Sequence, residues 1–428
     1  MIFTKKKFEK DLVKFFSLLV YILPLALITG PFLSDFIISL LGIYFIIISI
    51  TKKEWSYYQQ WYVYLFLLYC LYLIIISLFS KNILLSLESS FFYFRYLFFV
   101  LGIIYLIDKN REFTRYFYLI MQISLIAVII TSFAQLFFEK NIMFENNGKI
   151  ESYRFSGLFG DEKILGKYLS YMFPIYFCFL CLKEKLSKTD FALCFISMLS
   201  LFFIILITGE RTSFFLFILC TLIIFLMIKN FKILRLITIL SSVLCIFLII
   251  NFIPSVKQRI IVDTVNSIGL GASEKFIFSK QHQSHYLAGY EMFLAKPIVG
   301  HGPKMFREIC SDYDNSSYES KHGNRLACST HPHNYYIQLL SETGVIGTLP
   351  LLFALVFSIF KMIQHSLSVI QKNKIYVLED YQICLWAMVI VTLFPFVPTM
   401  NFFNNWISIF HFIPLPFLFQ DKLKLFFK

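Results

Sequence analysis

The feature that most constrains this chain is a run of uncharged, mostly apolar residues that keeps recurring. These runs, each about 16–23 residues long, extend from Phe15 to Phe419, and each is long enough to cross ~30 Å of hydrocarbon. Lipid offers no partner to an unpaired backbone N–H or C=O, so such a chain crosses as helices. A transmembrane β-barrel would instead show short segments of alternating polarity, which are missing from this sequence. Composition points the same way, with 58% hydrophobic and 15% charged residues, against roughly 45–50% and 25% in soluble domains. Disorder, a disulfide scaffold and a coiled coil are excluded. The formal charge of +13 would suggest a nucleic-acid partner, but its distribution does not.

Charge punctuation predicts an all-α, polytopic transmembrane bundle of about twelve spans: 15–34, 36–51, 61–80, 89–107, 116–138, 164–182, 190–208, 212–228, 233–253, 343–360, 381–400 and 402–419. The first span is long and lacks a small-residue cleavage site, so it reads as a retained anchor. With a cytoplasmic N-terminus carrying Lys5, Lys6, Lys7, Lys10 and Lys14, more than half of the 39 basic residues fall in short connections and tails on that side. Cytoplasmic enrichment of Lys and Arg is the usual signature of orientation, and it places both termini inside. The positive charge is therefore a topology signal, and no nucleic-acid partner is expected. The reading divides the chain into 1–253, nine spans with a small outer loop at 139–163; 254–342, one large helical outer loop carrying the site; and 343–428, the last three spans and a cytoplasmic tail.

The chemistry gathers in the large loop. Six of the eight histidines (His282, His285, His301, His322, His331 and His333) lie between 282 and 333, whereas Arg95 is almost the only ionisable group near the middle of a span. A pump or transporter usually buries its ionisable groups at mid-membrane, so the site is expected at the interface. The turn Lys296-Pro297-Ile298-Val299-Gly300-His301-Gly302-Pro303 reads either as a tight connection or as a cradle of N–H groups for phosphate, helped by Lys304. Cys310 and Cys328 are the two cysteines of the loop. At an oxidising face they are expected to pair, closing about 17 residues at a gain of about 3 kcal/mol on the chain-entropy account. A zinc site with His331 and His333 is the rival. The other seven cysteines lie in or at the ends of spans and read as packing residues.

The segment His331-Pro332-His333-Asn334-Tyr335-Tyr336-Ile337-Gln338-Leu339-Leu340-Ser341-Glu342-Thr343-Gly344-Val345-Ile346-Gly347 resembles the signature of the O-antigen ligase and polymerase family. There a His-Asn pair precedes an apolar helix and an acidic-x-Gly-x-x-Gly step. Ser156-Gly157-Leu158-Phe159-Gly160-Asp161-Glu162, Thr208-Gly209-Glu210-Arg211-Thr212 and the Pro297–Gly302 turn agree in order and spacing. The resemblance covers most of the chain from about 150 to 400. It implies a GT-C-like membrane glycosyltransferase at the periplasmic face of a bacterial inner membrane, working without a metal or other cofactor.

The donor it implies is an undecaprenyl-pyrophosphate-linked saccharide and the acceptor is lipid A–core oligosaccharide, which makes an O-antigen ligase the first reading. A polymerase extending a lipid-linked saccharide is the alternative, and a lipid-linked oligosaccharide transporter is the reading from another class. By resemblance Arg211 contacts the pyrophosphate and His333 is the base or orienter of the acceptor. A guanidinium fork suits a pyrophosphate, and a histidine of near-neutral pKa suits proton removal from a hydroxyl. Arg211 also reads as a snorkelling interface residue, His333 as a helix-start residue, and Asn334 as a cap. Arg154, Glu162, Glu342 and Tyr335 are expected at the saccharide, with Glu342 alternatively neutralising an arginine. Where the family has a second arginine this chain has His285. That leaves His285, Arg259, Arg307 and Arg325 as candidates for the second cation.

Overall fold

The computed structural model describes residues 2–138, 156–183, 186–267, 279–313, 328–372, 375–420 and 423. Among these residues the chain is helical throughout, with no strand. Six helices are long and apolar enough to cross a membrane: Pro31–Lys52, Ile83–Lys109, Phe113–Phe138, Lys188–Ile207, Lys232–Phe252 and Tyr335–Ile370. Trp61–Ser77, Leu165–Cys181, Arg211–Met227, Asp380–Thr392 and Asn405–Leu418 are apolar but shorter. Six of the twelve expected spans therefore meet the length criterion. Among the others, Asp380–Thr392 stops just before Pro395 and Pro398, and prolines remove the N–H donors a helix needs.

The arrangement follows from which faces are apolar. Leu165–Cys181 is buried on nearly every side, from Leu165 through Cys181, with Lys167 its half-buried exception. A helix that is apolar all round belongs in an interior, and Asp380–Thr392 and Arg211–Met227 pack against it. Lys232–Phe252 buries only Leu234, Thr238, Ser242 and Ile249, leaving Leu236, Leu240 and Phe247 outward at the periphery. Buried aromatic residues satisfy their polar tips on the short Leu23–Ala26 helix and its flank. Tyr168 donates to the Pro24 carbonyl at 2.9 Å and Trp406 to the Leu27 carbonyl at 2.8 Å.

The Lys280–Ala295 helix begins at Ser279, whose hydroxyl accepts the His282 N–H, and it packs along Tyr335–Ile370. The turn that follows is locked onto the same helix. His301 N–H donates to the Ser341 carbonyl at 3.2 Å and Gly302 N–H to the Glu342 carbonyl at 2.7 Å. In return, Val345 N–H donates to the Pro297 carbonyl at 2.9 Å and Ile346 N–H to the Ile298 carbonyl at 3.3 Å. Gly344 sits at φ +63 and interrupts the helix; a Cβ there would lie 2.2 Å from the Ile298 oxygen. A Cβ on Gly300 would lie 2.5 Å from the Glu342 carbonyl carbon. Both positions require glycine, for a positive φ (+69 at Gly300, +63 at Gly344) and for the close approach of two backbones.

Candidate active site

One cavity of about 1500 Å³ collects groups from the whole length of the chain. Its cationic wall carries Arg95, Lys163, Lys167, Arg211, Arg259, Lys304 and Arg307, against two carboxylates, Glu88 and Glu210. Arg211 opens its helix after the Thr208-Gly209-Glu210 turn, and its Nη1 donates to Thr264 Oγ1 at 3.1 Å and Ser267 Oγ at 3.3 Å. Glu210 is held away from solvent by accepting the Gly166 and Lys167 N–H groups, at 2.7 and 3.2 Å, and the Ser213 hydroxyl at 2.8 Å. Its carboxylate sits at the N-terminus of Leu165–Cys181, where the unpaired N–H groups favour an anion. Burial nevertheless holds its pKa above the usual value. Lys304, at φ +62, reaches Glu88 at 3.1 Å.

Four histidines cluster on one side. The His331 and His333 rings stand 4.1 Å apart, and His282 and His285 each lie 5.6 Å from His333. His333 holds a left-handed backbone, φ +57, fixed by its carbonyl, which accepts the Thr399 N–H at 2.7 Å and the Tyr286 hydroxyl at 3.4 Å. Such a conformation is costly for a side-chain-bearing residue and is seen where function or packing imposes it. Burial, then the neighbouring His285, pushes the His333 pKa down. The same causes act more strongly nearby: burial and His333 take His331 to about 3, and burial with His333 and His285 takes His282 to about 4. The lowered pKa values of His282, His331 and His333 favour the uncharged imidazole, a form able to accept a proton.

The predicted residues divide. Arg211, His333 and Lys304 line the cavity. Among the candidates for a second cation Arg259 and Arg307 line it too, whereas His285 is only 2% exposed and lies behind His333. Glu162 is exposed and outside the lining; its neighbour Lys163 takes the place expected for it. Tyr335 and Glu342, expected at the saccharide, are fully or almost fully buried and do not line the cavity. Glu342 instead accepts the Phe306 N–H at 3.1 Å and the Gln338 side-chain amide at 3.0 Å, bracing the turn. The Gly300 and Gly302 N–H groups donate to Lys296 and Glu342 carbonyls, so they do not form a phosphate cradle. Asn334 caps its helix, accepting from Tyr336 and Ile337. Cys310 and Cys328 are joined to each other, their Cα atoms 5.5 Å apart. Arg154 and Arg325 lie outside the described residues.

Residues 196–352 match the family model described as O-antigen ligase. Over this region, rather more than a third of the chain, it is similar to the O-antigen ligase family. No curated protein sequence matches the chain. The family domain supplies Arg211, Arg259, His282, Lys304, Arg307, His331 and His333 to the cavity. Much of the remaining wall comes from outside it, and two parts of that wall were not expected. Arg95 follows a break between Ile83–Ser90 and Arg95–Lys109, and it pairs with Asp35 at 2.9 Å and Asn405 at 2.8 Å. The segment between Asp380–Thr392 and Asn405–Phe412 lines the cavity from Phe396 to Asn405. Its signal was present as Pro395, Pro398, Asn401, Asn404 and Asn405. These prolines and amides are ill suited to two consecutive spans in lipid.

Proposed function

We propose that this protein is an O-antigen ligase, a metal-independent glycosyltransferase that moves a saccharide from undecaprenyl pyrophosphate onto lipid A–core oligosaccharide. The observation that supports the reading is that one cavity is lined both by Arg211 with other cations and by His333, whose pKa burial pushes down. In the reaction an acceptor hydroxyl attacks the anomeric carbon of the donor sugar. His333 takes the hydroxyl proton, and the sugar–pyrophosphate C–O bond breaks with its electron pair leaving on the pyrophosphate. Arg211, with Lys304, Arg259 and Arg307 nearby, stabilises that charge as fixed cations aimed where it develops. The second cation is therefore assigned to the arginines of the lining rather than to His285. Arg154 and Glu162 remain candidates for contacts to the outgoing donor saccharide, while Glu342 and Tyr335 are assigned to holding the site's frame.

The setting proposed is a bacterial inner membrane crossed by about twelve GT-C-like spans, with both termini cytoplasmic and 254–342 at the periplasmic face. The chain's shorter apolar helices would then cross within a bundle whose buried faces compensate for limited length. The test is transfer by purified protein from a defined undecaprenyl-pyrophosphate oligosaccharide, with lipid A–core and a second lipid-linked repeat offered separately. Product on lipid A–core alone supports the ligase. Chain growth on the lipid-linked repeat would make the protein a polymerase, and transfer to neither, nor to any further acceptor offered, would overturn the enzyme reading in favour of a transporter. EDTA is expected to leave the rate unchanged; loss restored by added metal would contradict the metal-independent mechanism.

A further inference from the structure

The cavity has two chemically different walls. Beside the lysines and arginines, which it meets where Asn405 Oδ1 accepts from Arg95 at 2.8 Å, the segment from Pro395 to Asn405 itself contains no Asp, Glu, Lys or Arg and contributes amide, hydroxyl and aromatic side chains. Phe396 is 72% exposed on this wall. Thr399 Oγ1 and Asn401 Nδ2 are buried and make no hydrogen bond among the described residues, although both residues line the cavity. A polar group left without a partner costs about 1–3 kcal/mol relative to one that is paired.

This wall is also fastened to the base. The Thr399 N–H donates to the His333 carbonyl at 2.7 Å, the Asn334 side-chain amide to the Pro395 carbonyl at 2.7 Å, and the Tyr336 hydroxyl to the Leu393 carbonyl at 2.7 Å. A neutral ligand rich in hydroxyls, with C–H faces for an aromatic ring, fits such a surface. An anion fits the part of the lining that carries the lysines and arginines. Two walls of this kind divide a glycosyl transfer between its neutral and charged partners.

We infer that the 395–405 segment is the acceptor-saccharide subsite, holding the neutral sugar whose hydroxyl is presented to His333. Thr399 and Asn401 hydrogen-bond the sugar and Phe396 stacks on it. The assignment rests on the transferase reading and adds to it the residues that select the acceptor. Asn401 Oδ1 already accepts the Phe403 N–H at 2.8 Å and the Gln338 amide at 3.2 Å, so Asn401→Asp keeps those contacts while replacing the unpaired donor.

The experiment measures initial rates for wild type, Phe396→Ala, Thr399→Val and Asn401→Asp, varying lipid A–core and undecaprenyl-pyrophosphate oligosaccharide independently, with the unfolding midpoint of each variant alongside. Loss of one neutral hydrogen bond predicts an acceptor KM raised roughly 3- to 10-fold. The donor KM is expected to stay at its wild-type value in all three variants, and the midpoint in Phe396→Ala and Thr399→Val. Wild-type transfer combined with an unchanged acceptor KM in all three variants would overturn the assignment alone. A raised donor KM would overturn it by giving the wall to the donor. A wild-type protein that transfers nothing would overturn the transferase reading and this assignment with it.

Discussion

His333 and Glu342 stand nine positions apart in one stretch of sequence, and the structure gives them opposite work. His333 lies on the cavity wall in a left-handed backbone, its ring among three other histidines and its pKa lowered by burial. Glu342 is fully buried, with both carboxylate oxygens engaged by Phe306 and Gln338. Around it, Gly300 and Gly344 let the 296–302 turn dock backbone to backbone on the helix. The comparison teaches that a motif resembling a catalytic signature can join an end that lines a cavity to one that is buried and braces the fold. Residue type alone does not separate them, because a carboxylate in such a motif reads as a sugar contact until its burial is known.

The largest effect expected is on the architectural side. Gly344→Ala adds a Cβ at a positive φ and against a carbonyl oxygen, and Gly300→Ala drives a Cβ into the Glu342 backbone. Strain and overpacking together predict a loss of about 2–6 kcal/mol, read as a lowered unfolding midpoint and aggregation in detergent. Wild-type stability in either variant would break the latch account.

On the chemical side, Arg211→Ala and His333→Ala are expected to lower transfer, the histidine by roughly 10²- to 10⁴-fold as general-base loss predicts. Their unfolding midpoints should stay at wild type. Near-wild-type transfer by either variant would remove that residue from the mechanism.

Acidification gives a third test with a definite sign. His282, His331 and His333 have folded pKa values below their unfolded ones, His282 about 4 and His331 about 3. Below about pH 6.5 the unfolded chain therefore binds more protons than the folded one. Stability falls as pH drops from there toward the folded values. Transfer should likewise decline as His333 is protonated. A rate that rises on acidification would instead point to a charged histidine, such as His285, as the phosphate contact.

Much of this was legible in the chain. Uncharged run lengths carry the all-helical class, and Arg211, Lys304 and His333, singled out in the sequence, do line one cavity. What was not legible depends on packing. The inward turn of Glu342 and Tyr335 follows from contacts with residues distant in sequence, Phe306 and Phe402. Arg95 reaches the cavity because the helix breaks at 91–94 and Asp35, on another helix, balances it. The 395–405 wall was hidden inside two expected spans, since hydropathy weighs Phe396 and Phe403 more heavily than the prolines and amides between them.

The smallest effect expected is at the disulfide. Cys310→Ser with Cys328→Ser removes a closure worth about 3 kcal/mol on the chain-entropy account, and is expected to raise protease cleavage within 311–327 while transfer persists. Abolished transfer in that variant would move the loop from the architectural side of the comparison to the chemical one.

The most direct test is the transfer rate per folded molecule for His333→Gln beside Glu342→Gln, with undecaprenyl-pyrophosphate oligosaccharide as donor and lipid A–core as acceptor. The account predicts that His333→Gln folds as wild type and transfers almost nothing. Glu342→Gln should yield less folded protein, each molecule of which transfers at close to the wild-type rate. The reverse pattern, an active His333→Gln and a stable but inactive Glu342→Gln, would contradict it.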